Sequence, residues 1–164
     1  MSANFDALVS EAADLLAACR AKRLKIATAE SCTGGLIAAI LTEVAGSSDV
    51  FERGFVTYSN EAKAELLGVP VDLIKAHGAV SSEVARVMAE GALKHSRADI
   101  AVSVTGVAGP GGGTAAKPIG LVHFGAIRRS GSVAHREKRF GDLGRQAIRL
   151  ASVKEAFAMI RTIV

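Results

Sequence analysis

The chain has 164 residues, of which 49% are hydrophobic and 22% charged, and its formal net charge at pH 7 is +4. This balance is typical of one globular domain with a substantial core and excludes an intrinsically disordered chain. Only 4% of the residues are aromatic and none is tryptophan, so the core must be aliphatic. Two cysteines are too few for a disulfide framework, which favours a reducing, cytoplasmic location.

The composition gives little support for a membrane or nucleic-acid partner. No apolar run reaches membrane-spanning length, and the amino terminus does not follow the pattern of a signal peptide. Basic residues cluster at 22–25, 128–129 and 136–139, but no aromatic side chains are interleaved with them to stack bases. A solvated basic face, or an anionic small molecule, fits this charge better than nucleic acid.

Hydrophobic periodicity predicts alternating helices and strands followed by a late hairpin. In chain order, the predicted elements are a helix over 5–19, a strand over 24–29, a helix over 36–44, a strand over 51–58, a helix over 60–68, a helix from 82 to 91, strands over 99–105, 119–127 and 132–140, and a helix over 150–164. This order predicts an α/β fold, a three-layer α/β/α sandwich with a mixed sheet.

Three polar segments follow predicted strand ends. They cover residues 30–35, 57–63 and 105–113. Ligand sites in open α/β sheets lie in a crevice at strand ends, so we expect these segments to converge on one site.

The first segment places the Ser31 hydroxyl between a strand and a helix. The glycines after it permit a sharp turn, and amides at the start of a helix can bind an anion or a developing oxyanion. Two interpretations stay open: Ser31 is a nucleophile, or Ser31 or Thr33 caps the helix. Helix caps are far commoner than nucleophiles, so this segment by itself favours the cap.

Lys63 and Tyr58 belong to the second segment. If Ser59 or Asn60 caps the following helix, Lys63 lies in its first turn, where the helix dipole disfavours a cation and lowers the pKa of an amine. A neutral lysine is a competent general base, although an exposed and charged lysine is the commoner outcome. Tyr58, the only tyrosine, is either a site residue or a surface ring.

The glycine-rich third segment matches no phosphate-binding fingerprint. A P-loop needs lysine where Gly112 stands, and Lys117 and Pro118 replace the helix that a dinucleotide-binding loop requires. The segment either binds phosphate or ribose through its amides or simply connects two strands. The four histidines lack metal-ligand spacing, so no metal is expected. Cys32 stays open as an alternative nucleophile.

Seven stretches of the chain, in order over nearly its whole length, resemble the CinA carboxy-terminal domain family of nicotinamide-nucleotide amidases. The matching stretches are 29–35 (AESCTGG), 54–63 (GFVTYSNEAK), 67–69 (LGV), 77–81 (HGAVS), 105–110 (TGVAGP), 112–113 (GG) and 117–120 (KPIG). So many ordered blocks make the resemblance highly specific.

The resemblance implies a five-stranded mixed sheet in a single amidase domain over 1–164, the stand-alone form of the family. It implies hydrolysis of the carboxamide of nicotinamide mononucleotide to nicotinate mononucleotide and ammonia, in pyridine-nucleotide recycling, without metal or cofactor. Ser31 would be the nucleophile, Lys63 its base and Tyr58 an orienting residue, and the helix-entry amides near Cys32 to Gly34 would stabilise the oxyanion. The small-molecule substrate is the expected partner, and the oligomeric state stays open.

The resemblance also implies a set of substrate contacts. They are Thr33, Gly34, Gly35, Asn60, Thr105, Gly106, Ala108, Gly109 and Arg145. The chain departs from the family pattern before its last helix, where Gly141-Asp-Leu-Gly-Arg145 replaces the frequent Gly-Asp-Arg, so the phosphate role of Arg145 rests on its spacing from Arg149. A non-catalytic nucleotide- or phosphate-binding module is the alternative function, and a peptide amidase or esterase is a third.

Overall fold

The computed structural model of the protein describes residues 3–164, which form six α-helices, five β-strands and one short 3₁₀ turn. The helices are α1 (Ala3–Ala21), α2 (Leu36–Glu43), α3 (Asn60–Leu67), α4 (Val71–His77), α5 (Ser82–Lys94) and α6 (Arg145–Arg161). The strands are β1 (Ile26–Glu30), β2 (Phe51–Val56), β3 (Ile100–Gly106), β4 (Leu121–Arg128) and β5 (Val133–Arg139). The 3₁₀ turn is Ser47–Asp49.

The five strands form one mixed sheet in the order β2-β1-β3-β4-β5. Strands β1, β2 and β3 are parallel, whereas β4 pairs antiparallel with both β3 and β5. The expected five-stranded mixed sheet is therefore confirmed. Its parallel half has all three carboxyl ends at the same edge of the sheet, and the chain leaves β1 there at Glu30.

Helices cover both faces of the sheet, which confirms the three-layer α/β/α sandwich. Helices α1, α2 and α6 pack on one face, over a core of aliphatic side chains with Phe124 and Phe157. Helices α3, α4 and α5 pack on the other face, against a smaller core that includes Ala27 and Ala29. These small residues on one side of β1 let α5 approach the sheet closely. The strand lacks the alternation of polar and apolar residues because helices bury the sheet on both faces.

The basic pair at the outer strand β5 serves a structural purpose. Arg136 and Lys138 lie two residues apart and both contact the Glu155 carboxylate on α6, with Lys138 Nζ at 3.1 Å. The alternation of exposed and half-buried residues along β5 is that of an edge strand with one face in solvent. Arg136 and Lys138 therefore lie on the half-buried face of an edge strand, paired with α6, rather than on the solvated face that the sequence suggested.

Two element predictions needed correction. Helix α4 was not predicted, because its seven residues are too short to show a helical period; it begins directly after Pro70. Helix α6 begins at Arg145 rather than Leu150. The prediction missed this earlier start because Arg145 and Gln146, in the first turn, lie outside the apolar stripe. The earlier start brings Arg145 to the sheet edge where β1, β2 and β3 end, as described below.

Gly91 fixes how closely α5 packs against α3, the helix that carries Lys63. A Cβ atom at Gly91 would lie 2.8 Å from the carbonyl carbon of Leu67, the last residue of α3. Backbone atoms cannot move aside as a flexible side chain can, so the glycine sets the separation of the two helices.

We expect Gly91→Ala to destabilise the protein, although alanine is normally the better helix former. Forcing backbone apart in a packed interior costs about 2 kcal/mol, which exceeds the propensity gain of about 1 kcal/mol. Urea unfolding followed by circular dichroism measures the change. Gly111→Ala is the matched control, because its Cβ would meet no atom within 4 Å. A Gly91→Ala protein as stable as wild type would contradict this packing.

Candidate active site

Three strand ends meet where the sequence predicted a crevice. Glu30 pairs with Val56 of β2 and with Val104 of β3, so the residues that follow these positions emerge side by side. Two backbone bonds continue the ladder one step further, from the amide of Ser31 to the carbonyl of Val104 at 3.0 Å and from the amide of Thr57 to the carbonyl of Glu30 at 2.9 Å. The register of the parallel sheet thereby places Ser31 between the other two segments.

The hydroxyl of Ser31 and the amine of Lys63 are in direct contact. Ser31 Oγ and Lys63 Nζ lie 3.0 Å apart, and the sequence positions are separated by 32 residues. Both residues are buried, and Lys63 is only 1% exposed. A hydroxyl in hydrogen-bond contact with a buried amine is the arrangement that activates a serine by general-base catalysis.

Helix α3 explains why Lys63 points inward. Ser59 caps the helix and accepts a hydrogen bond from the amide of Ala62 at 3.0 Å, which places Lys63 in the fourth helical position. The side chain folds back towards the residues before the helix, and its amine contacts the carbonyls of Thr57 at 2.8 Å and Tyr58 at 3.3 Å. The cap at Ser59 was one of the two predicted from the sequence.

Burial lowers the pKa of the Lys63 amine below its ordinary value of 10.5, because a charged ammonium loses its hydration in the interior. The charged ammonium donates to all three oxygens around Nζ, and the neutral amine fits the same geometry. Its two hydrogens can go to the carbonyls of Thr57 and Tyr58, which leaves its lone pair for the Ser31 hydroxyl. The amine is thus oriented to accept the proton of Ser31.

Eight of the predicted site residues line a single cavity of about 230 Å³. They are Ser31, Tyr58, Asn60, Lys63, Thr105, Gly106, Ala108 and Arg145. Thr105 is held by a bond from its hydroxyl to the carbonyl of Ala79 at 2.8 Å. The predicted convergence of the three segments on one crevice is therefore observed.

Four predicted contacts lie outside the cavity lining: Thr33, Gly34, Gly35 and Gly109. Thr33 is fully buried, and its carbonyl accepts a hydrogen bond from Arg149 at 2.7 Å. Gly34 and Gly35 both have positive φ, so they shape the turn into α2. Gly109 accepts a hydrogen bond from Arg145 through its carbonyl, at 2.7 Å, and so holds a predicted contact in place.

The amides at the start of α2 are not available to an oxyanion as the sequence suggested. The helix begins at Leu36, five residues after Ser31, and the amides of Ile37 and Ala38 donate to the Glu30 carboxylate. The amide of Gly34 donates to the carbonyl of Ser31 at 3.0 Å. Of the amides expected at Cys32 to Gly34, those of Cys32 and Thr33, within the turn itself, are the remaining donors nearest to Ser31.

Tyr58 and Arg145 face each other across the cavity mouth. Tyr58 is 60% exposed, and its hydroxyl accepts a hydrogen bond from the Arg145 guanidinium at 3.0 Å. Arg145 also donates to the carbonyl of Gly109, so it joins the start of α6 to the segments after β2 and β3. The guanidinium therefore stands at the entrance, whereas the Ser31–Lys63 pair is buried.

Sequence reasoning missed several contributors. Ala79 and Val80, just after α4, line the cavity, yet small apolar residues in a loop carry no chemical signal. The carbonyl of Thr57 binds the Lys63 amine, but a backbone acceptor has no signature in the sequence. Cys32 lines the cavity beside Ser31, and burial raises the pKa of its thiol to about 12. A thiol that stays protonated is a poor nucleophile, and the Lys63 amine contacts the Ser31 hydroxyl rather than the thiol, which favours Ser31 over Cys32.

The described part of the chain shows neither a metal site nor a membrane span. Within residues 3–164, no group of three or more His, Cys, Asp and Glu side chains is arranged to hold a metal ion. Among the helices of the same residues, none combines the length and apolar character needed to cross a bilayer.

The sequence profile of the CinA C-terminal domain matches residues 9–164. The chain belongs to this family. The resemblance drawn from the seven sequence stretches is thus confirmed, and the Ser31–Lys63 cavity lies within the matched region of a CinA C-terminal domain.

Relatives of two sizes match this CinA C-terminal domain. Nicotinamide-nucleotide amidohydrolase PncC of Escherichia coli K12 is 53% identical over 133 residues, 80% of this chain and 79% of the relative. A competence-damage inducible protein of Caldicellulosiruptor bescii is 56% identical over 141 residues, which are 85% of this chain but 34% of the relative. The chain thus spans about a third of the length of these longer curated relatives.

A solved structure of the family has nearly the same fold. The crystal structure of competence/damage inducible protein CihA from Agrobacterium tumefaciens superposes with a TM-score of 0.93 and 52% sequence identity. The alignment covers 94% of each chain, so the sheet and both helical layers are shared.

We expect both cysteines to resist thiol reagents while the protein is folded. Burial raises the pKa of Cys19 to about 11 and that of Cys32 to about 12, so neither forms a thiolate at pH 8. Ellman's reagent should therefore release no chromophore from folded protein and two equivalents after unfolding in guanidinium chloride. Rapid release of one equivalent from folded protein, mapped to Cys32, would revive Cys32 as a nucleophile.

Proposed function

We propose that this chain hydrolyses the carboxamide of nicotinamide mononucleotide to nicotinate mononucleotide and ammonia, with Ser31 as nucleophile and Lys63 as general base. The proposal rests above all on the 3.0 Å contact between Ser31 Oγ and the buried Lys63 amine at the wall of a cavity. The name of the E. coli relative, which is 53% identical and similar in length, supports the choice of substrate.

Acylation begins with proton transfer. Neutral Lys63 accepts the hydroxyl proton while Ser31 Oγ attacks the carboxamide carbon, and a tetrahedral oxyanion forms. The amides of Cys32 and Thr33 are the proposed donors to that oxyanion, and fixed donors in a dry site are usually the largest source of stabilisation. The protonated Lys63 then gives its proton to the departing nitrogen, and the C–N bond breaks to release ammonia.

Deacylation uses the same two residues. Water attacks the ester carbon on Ser31, and Lys63 accepts one water proton as the new C–O bond forms. When the C–O bond to Ser31 breaks, Lys63 returns its proton to Oγ, and the carboxylic acid formed releases its own proton to solvent, so nicotinate mononucleotide leaves as a carboxylate. No step needs a group beyond the substrate, water and these side chains.

The remaining cavity residues are proposed to hold the ribose phosphate. Arg145 at the entrance supplies the cation, and Gly106, at the end of β3, and Ala108 line the same cavity. Asn60 and Thr105 offer polar groups on the cavity wall. Binding energy from the phosphate would orient the carboxamide at Ser31.

Release of ammonia from nicotinamide mononucleotide by purified protein tests this function directly. Steady turnover with formation of nicotinate mononucleotide is the expected result. Saturable binding of the nucleotide without ammonia would instead support the non-catalytic binding module.

We expect Ser31→Ala to fold normally and to lose at least about 10⁴-fold in kcat, because the nucleophile is absent. That loss corresponds to about 5.5 kcal/mol of transition-state stabilisation. The measurement is ammonia release under saturating substrate. Ser82→Ala, which removes an exposed hydroxyl on α5, is the matched control and should keep wild-type kcat. Retention of activity in Ser31→Ala would exclude Ser31 as nucleophile.

We expect Lys63→Met to be inactive and to have lost the rising limb of the pH profile of wild-type kcat/KM. In wild type, activity rises with pH as the buried amine loses its proton. Methionine fills the same space without an amine. Lys94→Met, at the end of α5, is the control and should keep the profile. A rising limb that survives in Lys63→Met would assign the base to another group.

Lys63→Met should also change the pH dependence of stability. Because burial lowers the pKa of Lys63 in the folded state, the unfolded chain binds that proton more tightly. Wild-type unfolding free energy should therefore gain a contribution as pH rises from the lowered pKa towards 10.5, and the variant should lack it. Urea unfolding across this pH range measures the difference, and identical slopes would contradict a lowered pKa.

A further inference from the structure

Glu30 is a fully buried carboxylate immediately before the proposed nucleophile. It is the last residue of β1 and is 0% exposed. Its Oε1 accepts the amide of Ile37 at 2.8 Å, and its Oε2 accepts the amide of Ala38 at 3.0 Å. The hydroxyl of Thr28 donates to Oε2 at 3.3 Å. A buried carboxylate needs such partners, and here two of them are the first-turn amides of α2.

These bonds close a ring around the turn that carries Ser31. The backbone of Glu30 is fixed in the sheet by the bond from the Thr57 amide to its carbonyl at 2.9 Å. Its side chain fixes the start of α2, so one residue anchors both ends of the segment 31–36. The attraction between a carboxylate and the positive end of a helix strengthens the second anchor.

The turn needs such anchoring because of its own composition. Gly34 and Gly35 hold positive φ angles, and glycine loses more conformational freedom on ordering than any other residue. From other helices, Arg149 donates to the carbonyl of Thr33 at 2.7 Å, and Lys63 contacts the Ser31 hydroxyl at 3.0 Å. Without the Glu30 carboxylate, the turn and the start of α2 would lose the side chain that fixes their relative position.

Glu30 does not act through the charge of Lys63. Burial is the main cause of the lowered pKa of the Lys63 amine, and the Glu30 oxygens bond Thr28, Ile37 and Ala38 instead. Glu30 lies on the α1/α2/α6 side of β1, where its oxygens face α2. Its influence on chemistry must therefore be geometric.

We propose that Glu30 is a positioning residue for acyl transfer: its carboxylate holds the start of α2 and thereby sets the contact between Ser31 Oγ and Lys63 Nζ and the direction of the Cys32 and Thr33 amides. This inference rests on the proposed function. Glu30 lies outside the cavity lining, so we expect it to contribute to kcat and not to substrate binding.

The test compares Glu30→Gln with wild type and with Ser103→Ala. Glutamine keeps the shape but turns an NH₂ group towards an amide that needs an acceptor. We expect kcat for nicotinamide mononucleotide to fall by about 100-fold, as misplacement of a reacting group by about 1 Å does. KM should stay within about threefold, because the substrate contacts are intact. The pH at which activity rises should not move, since Lys63 keeps its surroundings.

Ser103→Ala separates positioning from simple loss of stability. Ser103 is buried in β3, where its hydroxyl donates to the carbonyl of Ala85 and accepts the amide of Gly125. It lies outside the proposed catalytic and binding residues, so this variant should lose stability and keep kcat. A Ser103→Ala protein that loses kcat as Glu30→Gln does would overturn the proposal, because the effect would then follow stability alone.

A second readout keeps this inference distinct from the proposed function. A fluorophosphonate reagent reports on Ser31 without the nucleotide, because the Ser31 oxygen displaces fluoride from phosphorus and Lys63 takes the hydroxyl proton. If wild type labels at Ser31 but releases no ammonia, the proposed substrate is wrong while slower labelling of Glu30→Gln still supports the positioning role. If wild type does not label, Ser31 is not activated and both proposals fail.

The outcomes that overturn the proposal are specific. Wild-type kcat and labelling rate in folded Glu30→Gln would show that the carboxylate does not position Ser31. A change confined to KM would place Glu30 in substrate binding instead. If Glu30→Gln does not fold, Glu30→Asp carries the test: it keeps the charge but is too short to hold both amides, so kcat should still fall with KM unchanged, and full activity would overturn the proposal.

Discussion

The burial of the Lys63 amine is the constraint on which the proposed chemistry depends. An exposed lysine is charged at physiological pH and cannot accept a proton from a hydroxyl. Here the side chain lies inside the protein, and the carbonyls of Thr57 and Tyr58 receive its hydrogens. These carbonyls belong to the two residues just before Ser59, the cap of α3. The helix therefore supplies the amine, and the segment that leads into the helix orients it.

Several parts of the fold act together to maintain that burial. The parallel register of β1, β2 and β3 brings Ser31 beside the entry to α3. Gly91 lets α5 contact the end of α3 through backbone, which holds the helix against the sheet. Removal of any of these contacts would let water reach the amine and raise its pKa towards the ordinary value.

The site also concentrates unfavourable contacts. Within residues 3–164, the buried side-chain atoms without a hydrogen-bond partner are Thr33 Oγ1, Thr57 Oγ1 and Arg149 Nε. Thr33 belongs to the turn after Ser31, Thr57 holds Lys63, and Arg149 binds the carbonyl of Thr33. Each unpaired group costs about 1–3 kcal/mol, so the aliphatic core stabilises a site that is itself costly to fold. Functional sites commonly carry such local costs.

The sequence predicted the layers of the fold and the meeting of three strand ends, because hydrophobic periodicity and the alternation of elements are local signals. It also offered Ser59 as one of two caps for α3, and the family resemblance implied eight cavity residues. It missed α4, Ala79 and Val80, whose positions depend on tertiary packing. It interpreted the amides at the start of α2 as free, because nothing in the pattern shows the Glu30 carboxylate turning back to bind them.

Direct titration of Lys63 by NMR is the most direct test of the central claim, that this lysine is a neutral base. Lysine labelled with ¹³C at the ε carbon shifts as its amine loses a proton, and Lys63→Met assigns the signal. We expect one signal whose midpoint lies below 10.5, apart from those of the exposed lysines. A Lys63 signal that titrates at 10.5 or above would contradict it, because the amine would then stay charged beside Ser31.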